Sequence, residues 1–87
     1  MVFGCACHCT TLTGNYTKVS ADYAGYAQQY LETRLEGVQA MFMTGCGGSE
    51  NPNPRGTLAM ARHHGHSIGV EVARVFSGKM SEVTGPF

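Results

Sequence analysis

Eighty-seven residues make one small domain, with 43% hydrophobic residues and six Lys+Arg balanced by six Asp+Glu. That hydrophobicity excludes a disordered chain. Zero net charge argues against a basic arm for nucleic acid or an anionic membrane surface, and no apolar run approaches the ~20 residues of a membrane span. Only 14% of residues are charged, and a charge-poor, neutral chain is prone to self-association. The start, Met1-Val2-Phe3, has neither a basic region nor a long apolar core. No signal peptide is visible, so the expectation is a cytoplasmic chain with reduced thiols.

Residues 2–7 are apolar and short, and read as a buried strand. Residues 9–18 are rich in Thr, Gly and Asn and read as a loop. Ser20 is a plausible helix N-cap, and Asp22 suits a first helical turn. Tyr23, Ala27, Tyr30 and Leu31 then recur at helical spacing, with Tyr26 and Leu35 on the flanks. Asp22, Gln29, Glu32 and Glu36 fall on the opposite, polar side, and Gly37 ends the helix. The run 38–44, VQAMFMT, is too short for a helix and reads as a second strand. Residues 45–56 hold glycines and prolines at a density no regular element tolerates. Thr57 caps a second helix, with Leu58, Ala61, Gly65, Ile68, Val72, Val75 and Phe76 as its apolar stripe. Ser77-Gly78 stops it, and residues 79–87 form a tail.

The order strand–helix–strand–loop–helix predicts a small α/β fold, a βαβα unit with a parallel strand pair, over residues 1–78. Two helices cannot cover both faces of a sheet. The unit is therefore expected to be one subunit of a homo-oligomer or a portion of something larger.

In α/β units, ligands bind beyond the carboxyl ends of the strands. Two segments lie there: His8 with Thr10, Thr11 and Asn15 after the first strand, and residues 45–56 after the second. Parallel pairing brings them together. An imidazole at a strand end suits metal ligation or base catalysis. The second segment can offer backbone N–H groups at Gly47 and Gly48, and Arg55 can clamp a carboxylate or phosphate. It is not a P-loop, because G-x-x-x-x-G-K-[ST] is absent.

The four cysteines, Cys5, Cys7, Cys9 and Cys46, form a poor disulfide framework. Alternate strand residues point the same way about 7 Å apart, at ~3.3 Å rise per residue. They read either as small buried hydrophobes or as a thiolate set for Zn²⁺ or Cu⁺ in a small non-catalytic metal-binding or self-assembling module. A nucleophilic pairing of Cys7 or Cys9 with His8 is poor, because neighbours on a strand face opposite ways. His63, His64 and His66 read as solvated or capping groups, and the Tyr23, Tyr26 and Tyr30 stripe as core.

Three blocks in order carry a family likeness. Cys7-His8-Cys9-Thr10-Thr11-Leu12, followed by Asn15, is similar to T-H-x-T-S-M followed by Asn. Ser20-Ala21-Asp22-Tyr23-Ala24-Gly25-Tyr26-Ala27 is similar to S-x-D-x-x-G-Y-A. Ala40-Met41-Phe42-Met43, with residues 48–56, is similar to an apolar strand leading into G-D-V-S-P-N-x-R-G. The chain thus resembles the neutral/alkaline non-lysosomal ceramidase family, its bacterial members in particular, over the central part of the catalytic domain. Those proteins are zinc amidohydrolases that cleave the N-acyl bond of ceramide. The resemblance implies a zinc cofactor with His8 as one ligand, and a lipid amide or ester substrate. It also implies substrate contacts at Thr10, Asn15, Gly47 and Gly48, with Asn51 and Arg55 as positioning groups. The family serine falls at Asn51 and the preceding aspartate at Ser49. The family's other zinc ligands, a His before this segment and a Glu and a Tyr after it, have no counterparts.

Overall fold

A computed structural model describes residues 1–86 of the chain. Its elements are β1 (Val2–Cys5), α1 (Asp22–Arg34), β2 (Met41–Thr44) and α2 (Leu58–Phe76). The strands pair in parallel, with Val2 opposite Met41, Phe3 opposite Phe42, Gly4 opposite Met43 and Cys5 opposite Thr44. The expected α/β fold, a βαβα unit with a parallel strand pair, is what the chain adopts. No helix among the described residues is long and apolar enough to cross a membrane.

Alternation along the strands sends Phe3 and Phe42 to one face, where the helices lie. Phe3, Ala27, Leu31 and Ala40 form the buried centre, with Leu35, Phe42, Ile68 and Val72 packed around it. Phe42 meets Phe3 edge-on at 5.4 Å and Tyr23 at 5.7 Å, between ring centroids. The other face carries Val2, Met41 and Met43, which are 63%, 59% and 59% exposed, so no described residue covers it.

The two helices pack closely on each other, because α2 presents Gly65 and Gly69 to α1. A Cβ on Gly65 would lie 2.5 Å from the Tyr23 carbonyl oxygen and against Tyr26 Cβ. Both strands are shorter than expected. Residues 6–7 leave the ladder, and Cys7 turns its carbonyl to the Tyr23 hydroxyl at 2.7 Å. Ala40 is held by α1. The Ala40 N–H donates to Glu32 Oε1 at 3.0 Å, and its carbonyl accepts from Gln28 Nε2 at 3.1 Å.

Helix α1 starts two residues after Ser20. Ala21 takes the cap position without a side-chain bond, and the Ser20 hydroxyl accepts from the Asp22 N–H at 3.0 Å. It ends at Arg34, with Gly37 at φ 73° in the turn beyond. The expected cap of α2 is present: Thr57 Oγ1 accepts from the Met60 N–H at 3.2 Å. Its stripe is shorter than the sequence suggests. Val75 and Phe76 are 47% and 42% exposed and line an open cavity beside Met1, Val2 and Phe3.

Candidate functional site

The segments after β1 and after β2 meet at the carboxyl ends of the parallel strands. Backbone bonds stitch them together: the His8 N–H donates to the Glu50 carbonyl at 3.0 Å, and the Gly56 N–H to the Thr11 carbonyl at 2.6 Å. Gly47 makes this approach possible. It is buried against the first loop, and a Cβ there would lie 2.5 Å from Cys7 N. Gly47 therefore packs beneath the loops, while Gly48 stays exposed above them.

Four expected site residues come together on the exposed side. The Thr10 hydroxyl donates to Asn51 Oδ1 at 2.8 Å, and His8 Nε2 lies 3.4 Å from the Gly48 carbonyl oxygen. Because Oδ1 receives the Thr10 proton, the Nδ2 hydrogens remain as the Asn51 donors, and they make no hydrogen bond among the described residues. Asn15 and Arg55 are exposed, and their side chains make no hydrogen bond among the described residues. Asn15 sits in a turn closed by Tyr16 N–H to the Thr13 carbonyl, at 2.9 Å.

The cysteines form no metal-holding group among the described residues. All four are free thiols, with Cys9 and Cys46 exposed and Cys5 and Cys7 half-buried. Cys5 and Cys7 line a cavity of about 200 Å³ with Tyr23, Pro52, Asn53, His64, Ser67 and Ile68. Burial, the neighbouring Cys5 and the Glu50 carboxylate push the Cys7 thiol up. Burial raises Cys9 as well. Raised thiols are poor nucleophiles at neutral pH. His8 does not serve Cys7 or Cys9 either, since its ring faces the Gly48 carbonyl. Among the described residues, no three His, Cys, Asp or Glu side chains form a group that could hold a metal ion.

The histidines of α2 also diverge. His64 Nε2 meets the Pro54 carbonyl at 2.6 Å and pins the second loop to the helix. His66 stands edge-on to Tyr30 at 5.0 Å. His63 is exposed, its ring centroid 6.0 Å from that of His64.

Asp22 is the residue that helical periodicity misplaces. It was expected on the solvent side of α1, yet it is 4% exposed. Its Oδ1 accepts from the N–H groups of Thr11 at 3.1 Å and Tyr23 at 2.7 Å, and its Oδ2 from Leu12 at 2.8 Å. Burial disfavours the charge, but the N–H donors of Leu12, Tyr23 and Thr11 outweigh it and hold the carboxyl below the usual aspartate range. The carboxylate thus anchors the loop that carries His8 and Thr10. Tyr23 anchors the same loop through Cys7, and burial beside Cys9 raises its hydroxyl far above the ordinary tyrosine value. The local signal for Asp22 was the spacing Ser20-Ala21-Asp22 ahead of an apolar run.

Comparisons with protein families, with curated proteins and with solved structures find no match for this chain.

Proposed function

We propose that this chain serves a hydrolase of the zinc-dependent amidohydrolase type, acting on an N-acyl amide or ester bond of a lipid-like substrate. Its own contribution is the substrate-positioning loop pair. The observation that carries this reading is the 2.8 Å bond from Thr10 to Asn51, which orients a side-chain amide donor at the carboxyl end of a parallel strand pair. The donor is held by the loop opposite, so it is preorganised for an acyl oxygen. Such a donor acts most strongly on the negative charge that develops on that oxygen during acyl transfer. Arg55, exposed on the same segment, suits a polar headgroup or the carboxylate released.

The donor set bears on zinc. A catalytic zinc takes about three protein ligands and keeps one position open. His8 supplies one imidazole, and no second and third ligand group joins it among the described residues. These residues do not fit a catalytic zinc.

Binding and turnover are tested together, with a short-chain N-acyl amide and the matching aryl ester, with and without added zinc. The expected result is substrate-dependent NMR shifts at His8, Asn51 and Thr10. Any turnover should fall ~10²-fold in Asn51→Ala, the usual effect of losing one oxyanion donor. Absence of both shifts and turnover, or shifts unchanged in Asn51→Ala, refutes the reading.

A second reading, self-assembly, is favoured by the bare sheet face. Parallel sheets are ordinarily covered on both faces, and Val2, Met41 and Met43 are uncovered here. Zero net charge gives no long-range repulsion between copies. Light scattering should give a dimer or larger, and Met43→Asp should return it to a monomer. A monomeric wild type sinks this second reading.

A further inference from the structure

Away from the loops, the two helices frame a cleft of about 500 Å³ lined by Tyr26, Gln29, Tyr30, Thr33, Arg34, Arg62 and His66. Its volume lies in the range of small-molecule pockets. The lining contains two guanidiniums and an imidazole, and no carboxylate. This is notable in a chain whose charges balance. Among the described residues the one ion pair is Arg74 with Glu71, so neither Arg34 nor Arg62 is neutralised by a neighbour.

The cleft is also shaped. Arg62 lies over the Tyr26 ring, with its guanidinium carbon 5.6 Å from the centroid. His66 stands edge-on to Tyr30 at 5.0 Å. Gly65 and Gly69 bring these groups together. A Cβ on Gly69 would lie 2.6 Å from the Tyr30 ring, so both tyrosines rest directly on the α2 backbone. The result is a pair of aromatic rings, with the Arg62 guanidinium over one, the His66 imidazole edge-on to the other, and Arg34 on the same cleft wall.

We infer that this inter-helix cleft binds an organic phosphate, its phosphoryl group between Arg34 and Arg62 and its apolar body on Tyr26 and Tyr30. A single carboxylate is satisfied by one guanidinium fork. Two separate guanidiniums with an adjacent imidazole and the Thr33 hydroxyl match the charge and the several acceptor oxygens of a phosphate monoester. The same chemistry is offered by a soluble aryl phosphate and by a phosphatidic acid headgroup.

The test uses the full chain with phenyl phosphate, followed by tyrosine fluorescence and by NMR. Saturable binding is expected, with shifts at Tyr26, Tyr30 and Arg62, and with competition by inorganic phosphate. Affinity should fall tenfold or more in Arg62→Ala and in Arg34→Ala, the loss of one charge-assisted contact. Arg74→Ala, on the same helix but outside the cleft, should bind like wild type. Arg62→Lys keeps the charge and should bind between the two, which separates loss of the site from loss of fold. Vesicles containing phosphatidic acid form the second arm. Arginine-dependent vesicle binding assigns a lipid source, and phenyl phosphate binding alone assigns a soluble one. No saturable binding in either arm, or binding unchanged in both arginine variants, overturns the inference.

Discussion

Gly65→Ala is expected to lower the melting temperature by about 10 °C, the fall that a net loss of about 2 kcal/mol produces in a domain this size. Two effects oppose each other. Alanine is the better helix former by about 1 kcal/mol. Against it, the new methyl would meet Tyr26 Cβ and sit 2.5 Å from the Tyr23 carbonyl oxygen and 3.0 Å from Ala27 N. Those atoms are backbone or rooted next to it, so the helices must separate, at a cost of about 3 kcal/mol by the upper range of overpacking. Gly69→Ala should cost less, because its nearest obstacle is the Tyr30 ring, which turns more easily than backbone. Thermal unfolding of both variants checks the order. A Gly65→Ala protein as stable as wild type would mean that the helices do not cross this closely.

Asp22→Asn should destabilise the native state by about 1.5 to 3 kcal/mol at neutral pH, the worth of hydrogen bonds to a charged acceptor. Asparagine keeps the shape and one acceptor oxygen. It also tolerates the left-handed backbone, φ 54°, that Asp22 adopts at the head of α1. What it lacks is the charge that satisfies the N–H groups of Thr11, Leu12 and Tyr23. The pH dependence has a definite sign. The native carboxyl is held below its unfolded value, so its stabilisation is complete above the ordinary aspartate range, about pH 4. It is lost as pH falls through the lower native value. Urea unfolding should show a gap between wild type and Asp22→Asn at pH 7 that closes in strong acid. The amides of Thr11 and Leu12 should exchange faster in the variant, because the loop that carries His8 and Thr10 loses its anchor. A pH-independent gap would assign the loss to packing instead of charge.

Periodicity carried the fold a long way. The helical spacing of Tyr23, Ala27 and Leu31 predicted the face of α1 that is buried, and Thr57 marked the start of α2. Strand ends were harder to read. Residues 38–40 look like strand, but the backbone of Ala40 bonds to the Glu32 and Gln28 side chains, eight and twelve residues away on a different element. Apolar pattern reports burial; it does not report which partner takes an N–H.

The site follows the same division. That two segments follow parallel strands and must converge is a topological consequence of the βαβ order, and His8 and Thr10 could be named from it, while Asn51 was singled out only by the family likeness. Which loop atom meets which could not. Gly47 was read as a binding group and lies buried under the loops. The four cysteines, three of them close together along the chain, form no metal-holding group among the described residues; Cys5 and Cys7 line one cavity instead.

The amino-acid sequence by itself determined the element order, the parallel pairing and the two loops that meet, since these follow from local period and from chain connectivity. Only the tertiary structure decided that Asp22 is buried, that Thr10 orients Asn51, and that the histidines of α2 part company. Each depends on contacts between residues distant in sequence, where side-chain bonding and close approach at glycine override what a helix or strand period alone would place.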